Sequence, residues 1–376
     1  MEEFACNWPG KGFVIGDLQI LVPIVQGGMG IGVSGRKLAV AVANAGGIGV
    51  ISAVGMGYLG IPCEIEAKEG EHRNLTILRQ EIRKARKETD GILGVNIMVA
   101  IDSFLETAKA AIEEGIDVIF SGAGLPLMLP ACLSEGDKTK LVPIVSSAKA
   151  AKLIARRWIS KYNYVPDAFV LEGPKAGGHL GFSPEEILDP SHQLEALLPG
   201  VKATVNEIGR NAKRDIPVIA GGGVYTGSDI YYLQQLGASA VQMGTRFVAT
   251  EECDADDAFK QAYINCKKED IGIIHSPVGL PGRAIVNRFL SEAEQGMKKP
   301  KVCARHCLSG CKGTEAPYCI SSALLNAVHG KLEDGFAFIG ANGYRVDRIL
   351  TVPTLIGELA EGYKEAMKKG TIPVAN

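Results

Sequence analysis

Three groups of residues in this chain have the types and spacing to do chemistry. The first is a lone imidazole framed by glycines, Gly177-Gly178-His179-Leu180-Gly181, which follows the apolar run Ala168 to Leu171 and a break at Gly173-Pro174. An imidazole can take or give a proton near neutral pH, and glycines let a ligand approach the backbone closely. The plain alternative is a tight turn with an incidental surface histidine. The second group is a pair of glycine-bearing segments, Gly221-Gly222-Gly223-Val224-Tyr225 and Gln242-Met243-Gly244-Thr245. Their bare amides and the Thr245 hydroxyl are donors suited to a phosphate. The third is four cysteines, Cys303, Cys307, Cys311 and Cys319, within 17 positions. Thiols so close together in a reducing compartment point to a metal rather than to disulfides, and both a structural zinc and an iron–sulfur cluster accept four thiolates.

Positioning these groups requires strands that end where the glycines begin. Short apolar runs at 22–25, 47–52, 92–97, 117–120, 141–145, 168–171, 216–220 and 240–243 read as strands, with a β lead-in at 14–20. Helical patterns lie between them at 36–45, where Ser34 is the expected cap, and at 75–89, 104–114, 149–162 and 226–236. Residues 61–75 read as polar and irregular. Eight such α/β units predict a (β/α)8 TIM barrel, in which loops at the strand C-termini carry the site and those after strands seven and eight bind phosphate. The 19 residues from Gly223 to Gln242 are one helix plus one strand, so both loops reach the same rim. An open doubly wound sheet is disfavoured, because Gln26-Gly27-Gly28-Met29-Gly30-Ile31-Gly32 lacks the Gly-x-Gly-x-x-Gly spacing. The expected organisation is a barrel over 14–265, a loop-rich, cysteine-containing insertion and lid over 266–345, and a C-terminal helix over 346–376 packing back on the barrel. Within the insertion, Ser276 to Ala284 reads as an ordered loop over the site, with Arg283 free to meet an anionic substrate or carrier.

The 376 residues are 46% hydrophobic and 22% charged, with a net charge of −2, which disfavours a nucleic-acid binder. No apolar run is long enough to span a membrane, and Met1-Glu2-Glu3-Phe4-Ala5-Cys6 lacks the features of a signal peptide, so a cytoplasmic location is expected. The other histidines, His72, His192 and His329 among them, read as surface residues, and His275 as one near the site mouth.

The blocks Gln26-Gly27-Gly28-Met29, Gly94-Val95-Asn96, Ala176-Gly177-Gly178-His179, Ile219 to Val224 and Val241 to Thr245 resemble, in order, those of the nitronate monooxygenase (2-nitropropane dioxygenase) family, which also contains flavin-dependent enoyl-ACP reductases. The resemblance implies a barrel holding FMN, with the phosphate at Gly223 and Gln242 to Thr245 and a cofactor contact at Gly222. Further contacts are implied from Gly27, Gly28, Met29, Asn96, Gly177 and Gly178. Glu172 stands where many relatives carry glutamine. It implies His179 as the base beside the flavin, acting on a nitroalkane, a nitronate or a similar carbon acid. The downstream cysteines and Gly340 to Asp347 are similar to a branch that pairs FMN with a [4Fe–4S] cluster and dehydrogenates or isomerises acyl chains on acyl carrier protein. That likeness favours iron–sulfur over zinc at Cys303, Cys307, Cys311 and Cys319. The expected partners are a small-molecule or acyl-thioester substrate, acyl carrier protein with it, and a second copy of the chain in a homodimer. A non-catalytic flavin or metal redox sensor is the remaining reading.

Overall fold

The parallel sheet is built from Ile24–Gln26 (β1), Gly49–Ser52 (β2), Leu93–Met98 (β3), Val118–Gly122 (β4), Lys140–Val145 (β5), Phe169–Glu172 (β6), Val218–Gly221 (β7) and Ala240–Met243 (β8). The structure is a computed structural model that describes residues 8–59, 67–303, 307–308 and 311–370. Consecutive strands pair from β2 to β8, and β8 pairs in parallel with β1. β1 and β2 meet at one parallel bridge, where Gln26 N–H donates to Ile48 O and Ile48 N–H to Ile24 O, each at 3.0 Å. The result is a nearly closed TIM barrel, as the strand count predicts.

Side chains alternate across each strand, so every strand serves two cores. Val25, Val50, Phe120, Val142, Val170 and Ile219 pack together inside the cylinder. Ile24, Ile51, Ile119, Leu141, Phe169, Leu171 and Val218 join the core that includes the surrounding helices. The lead-in at 14–20 is a hairpin, Phe13–Ile15 against Leu18–Ile20, turning at Gly16. Its Phe13, Ile15 and Ile20 belong to the interior cluster and plug one end of the barrel.

The helix Ala148–Tyr162 shows how the outer layer forms. Ser147 accepts from Ala150 N–H at 3.2 Å and caps it, and Asn163 ends it in the left-handed region. Ala151, Ile154, Ala155 and Trp158 recur on one buried face, and Trp158 Nε1 donates to Pro126 O at 2.9 Å. Truncating a ring so buried costs about 3–5 kcal/mol.

Several sequence-based expectations need correction. Ser34 does not cap Arg36–Asn44. Asp254, far along the chain, accepts from Gly35 N–H at 2.9 Å and Leu38 N–H at 3.3 Å, while Ser34 Oγ accepts from Met29 N–H at 2.8 Å. The second helix starts at Ala67, inside the stretch read as irregular, and runs to Glu88. The helix Leu194–Ala212 escapes the sequence reading because it carries Pro199 in its interior, where proline removes a donor and reads as a break. The loop expected over the site is a β-hairpin, Ile271–His275 against Pro281–Ile285, and Gly178–His179 is the third strand of its sheet. The C-terminal helix Val352–Lys369 packs on Gly227–Gln235 and Arg36–Asn44. Among the described residues no helix is long and apolar enough to cross a membrane.

Candidate active site

His179 is fixed by the strand it occupies. It pairs with Gly282, and the next residue, Leu180, donates its N–H to Pro281 O at 2.8 Å. Arg283, on the same hairpin, is 8% exposed and donates to Ala176 O at 2.8 Å and to Pro174 O. It is therefore a brace under the histidine turn and not the free cation expected from sequence. Burial lowers its pKa to about 10, which leaves it charged at neutral pH.

The imidazole has two close partners. Its Nε2 lies 2.7 Å from Ser276 Oγ, which also accepts from Val278 N–H at 3.3 Å, and its ring meets Phe338 edge-on at 5.0 Å. Burial pushes its pKa down to about 4, so it is neutral at pH 7.

His179 faces a cleft of about 260 Å³ at the C-terminal ends of the strands. All the flavin-contact positions expected from sequence line it. Gly27, Gly28 and Met29 come from the turn after β1, Asn96 from β3, and Glu172 from the end of β6. Gly177 and Gly178 flank the histidine; Gly222 and Gly223 follow β7, and Gln242, Met243, Gly244 and Thr245 lie at the end of β8. Two glycines are obligatory on steric grounds. A Cβ on Gly28 would sit 2.2 Å from Asn96 Cβ, and Gly222 has φ +100° with Gly173 O 2.7 Å from any added Cβ.

The family model for nitronate monooxygenase matches residues 11–362. The chain belongs to the nitronate monooxygenase family. The enzymes of this family are FMN-dependent oxidoreductases. The chain is 30% identical, over 74% of its length and 79% of the relative's, to a probable nitronate monooxygenase of Staphylococcus aureus. It is 29% identical to the (3aS,4S,5R,7aS)-5-hydroxy-7a-methyl-1-oxo-octahydro-1H-indene-4-carboxyl-CoA dehydrogenase of Mycobacterium tuberculosis, with 73% of this chain matched to 66% of that protein, just under two thirds of its length. Its fold is similar to that of FabK from Thermotoga maritima, with TM-score 0.73 and 28% identity over 93% of this chain and 95% of that one.

Among the described residues lining its cleft, this nitronate monooxygenase family member has one carboxyl group, that of Glu172. Glu172 has no hydrogen-bond partner among the described residues, and burial pushes its carboxyl up to about 7. Sequence reasoning missed a partner of the histidine and one wall of the cleft. Ser276 reads there only as part of a proline- and glycine-rich loop. The segment from Phe338 to Gly343 closes one side of the cleft. There Gly340 N–H donates to Thr245 Oγ1 at 3.0 Å, Ala341 N–H to Lys175 O at 3.0 Å, and Asn342 Nδ2 to Gly223 O at 2.5 Å. In the sequence, Gly340 to Asp347 supports the family likeness, but nothing in its spacing tells which loop it meets. His72, His275 and His329 are exposed, and His192 is held by Asp189 at 3.1 Å, so none joins the cleft.

Cys303, Cys307, Cys311 and Cys319 line a second cavity, of about 1000 Å³. Among the described residues, no three histidines, cysteines or acidic residues converge as metal ligands. Two of the thiols are instead engaged by serines: Cys307 Sγ lies 2.9 Å from Ser321 Oγ, and Ser322 Oγ donates to Cys319 Sγ at 3.3 Å. His306, which by sequence sits between two of these cysteines and could stand in for one as a ligand, lies outside the described residues, as do Cys6 and Cys63. A chain of rings joins the two cavities: His179 to Phe338 at 5.0 Å, Phe338 to Phe336 at 5.1 Å, and Phe336 to Tyr318 at 5.6 Å. Tyr318 lines the thiol cavity, as does Phe289, 5.6 Å from it.

Proposed function

We propose that this chain is an FMN-dependent oxidoreductase that acts on a carbon acid, a nitroalkane or nitronate, with His179 as the base. The observation that carries this reading is one cleft lined by a part-buried, neutral imidazole together with the glycines that follow β7 and end β8. The residues fit FMN. Glycine amides and the Thr245 hydroxyl offer a phosphate neutral donors, and Gly28, packed without a side chain against Asn96, brings backbone to the cleft wall where a flat ring can lie. When bound, FMN supplies an acceptor for electrons taken as hydride or singly.

The protein's own part is proton handling and restriction of water. A base needs a free lone pair. It has one when Ser276 Oγ accepts both Val278 N–H and His179 Nε2–H, which leaves Nδ1 to take the substrate proton. The low pKa keeps that nitrogen unprotonated throughout the neutral range. Positioned acid–base catalysis of this kind contributes about 10²–10⁴-fold. The hairpin and the Phe338–Gly343 segment cover one side of the imidazole and limit, without closing off, the access of water.

The test is oxygen consumption with nitroalkane and with preformed nitronate. His179→Asn is expected to lose the nitroalkane reaction and to keep turnover of nitronate, which has already lost its proton. Equal loss of both, with flavin retained, removes the assignment of His179 as base.

A second reading has an acyl thioester, on coenzyme A or acyl carrier protein, as the carbon acid. It is supported by the relative named as an indene-carboxyl-CoA dehydrogenase, whose name carries a coenzyme A thioester. Under this reading acyl thioester bleaches the flavin without oxygen, and nitronate turnover is slow. With it goes the proposal that the thiol cavity takes a [4Fe–4S] cluster, supported by four cysteines facing one space. The thiols do not converge as they stand, so no step of the mechanism is routed through a cluster. Iron and sulfide analysis of anaerobically purified protein decides it, and zinc without iron leaves only a structural staple.

A further inference from the structure

Among the described residues, the cleft is lined by one carboxylate, Glu172, and one ammonium group, that of Lys175. Lys175 lies in the turn between β6 and His179 and is half-buried, and no carboxylate among the described residues pairs with it. Its stem crosses the open face of Gly223: a Cβ built there would meet Lys175 Cβ at 2.9 Å and Cδ at 3.1 Å. Its backbone is tied to the other wall, where Lys175 O accepts Ala341 N–H at 3.0 Å and Asn342 reaches Gly223 O. Lys175 is thus clamped between the loop after β7 and the 340–343 segment.

The donors already described at this end, glycine amides and the Thr245 hydroxyl, are all neutral. A phosphate monoester carries close to two negative charges at pH 7, and a sheltered charge is costly without a partner. The nearest arginine in sequence, Arg246, is committed elsewhere. It stacks 4.5 Å from the Tyr225 ring centroid and pairs with Glu358 at 3.2 Å.

We infer that Lys175 is the counter-charge for the phosphate of a bound ligand and sets the preference of the cleft for phosphorylated over unphosphorylated flavin. The inference rests on the FMN reading above. The ammonium group acts as a point charge at the phosphate, while its stem fills the space that Gly223 leaves open.

The experiment titrates flavin-free, full-length protein with FMN and with riboflavin, followed by quenching of flavin fluorescence, at low and high ionic strength. Lys175→Met keeps the stem and removes the charge; Lys175→Arg keeps the charge. Lys175→Met is expected to weaken FMN about 10- to 100-fold, the range of one charge-assisted contact, and to leave riboflavin unchanged. It is also expected to flatten the salt dependence of FMN binding, and Lys175→Arg to recover most of the affinity. Equal weakening of both flavins means the stem is only packing, and overturns the inference. So does unchanged FMN affinity, or a wild-type chain that binds both flavins equally, although the flavin reading survives either result. A wild-type chain that binds neither flavin removes that reading and the inference with it.

Discussion

Burial acts on Glu172 and His179 with opposite signs, and single substitutions can separate the two. The carboxyl is pushed up from 4.5 to about 7 and the imidazole down from 6.5 to about 4, in both cases because solvent is lost around the charged form. Between pH 4.5 and 7 the unfolded chain ionises its glutamate while the folded chain keeps the proton. Stability therefore falls as pH rises through that window. Between pH 4 and 6.5 the unfolded chain protonates its histidine while the folded chain does not, so this contribution rises with pH. Each gap corresponds to about 3 kcal/mol. Both groups line an open cleft that admits water, which reduces the expected contribution of each to roughly 1–2 kcal/mol. In the wild-type chain the two slopes nearly cancel. Glu172→Gln should gain stability over wild type by that amount between pH 4.5 and 7. His179→Gln should lose a similar amount relative to wild type between pH 4 and 6.5. The double variant should again run parallel to wild type where the windows overlap. The assay is urea unfolding of the flavin-free chain across this pH range, read as differences from wild type so that other titrating groups drop out. Difference curves of the same sign for the two single variants, or flat ones, would refute the reasoning.

Gly28→Ala places a carbon 2.2 Å from Asn96 Cβ and should yield folded protein that purifies without flavin; a normal flavin absorbance would contradict the steric argument. Ser276→Ala removes the hydroxyl 2.7 Å from His179 Nε2. It should lower kcat/KM about 3- to 10-fold at unchanged flavin content, the size of one neutral hydrogen bond. An unchanged kcat/KM would show that Ser276 does not orient the ring. Arg283→Met leaves the Pro174 and Ala176 carbonyls without their donor and should destabilise the chain by about 2 kcal/mol in thermal or urea unfolding. If stability holds and only substrate affinity drops, Arg283 is a binding residue after all.

The barrel was legible because each strand is a short apolar run closed by glycines, and those glycines also mark the floor of the cleft. Gly27 to Met29, Gly222, Gly223 and Gln242 to Thr245 are local in sequence, and strand order alone brings them to one rim. What escaped depends on distance along the chain. The cap of Arg36–Asn44 comes from Asp254, and the partner of His179 comes from Ser276, 97 residues away. No periodicity records such contacts. Arg283 was misread for a related reason: its exposure depends on strand pairing with Gly178, which a loop-like run of prolines and glycines conceals.

The ring chain from His179 through Phe338 and Phe336 to Tyr318 has a consequence for anyone reshaping this protein. Phe336 is fully buried at its middle, and a ring deleted there leaves a void costing about 3–5 kcal/mol. Widening the substrate side at Phe338 would also shift the wall against which the thiols are set. Selectivity at one end and the integrity of the cysteine region at the other are thus inherited as one trait, and a library that varies either end should be screened for both.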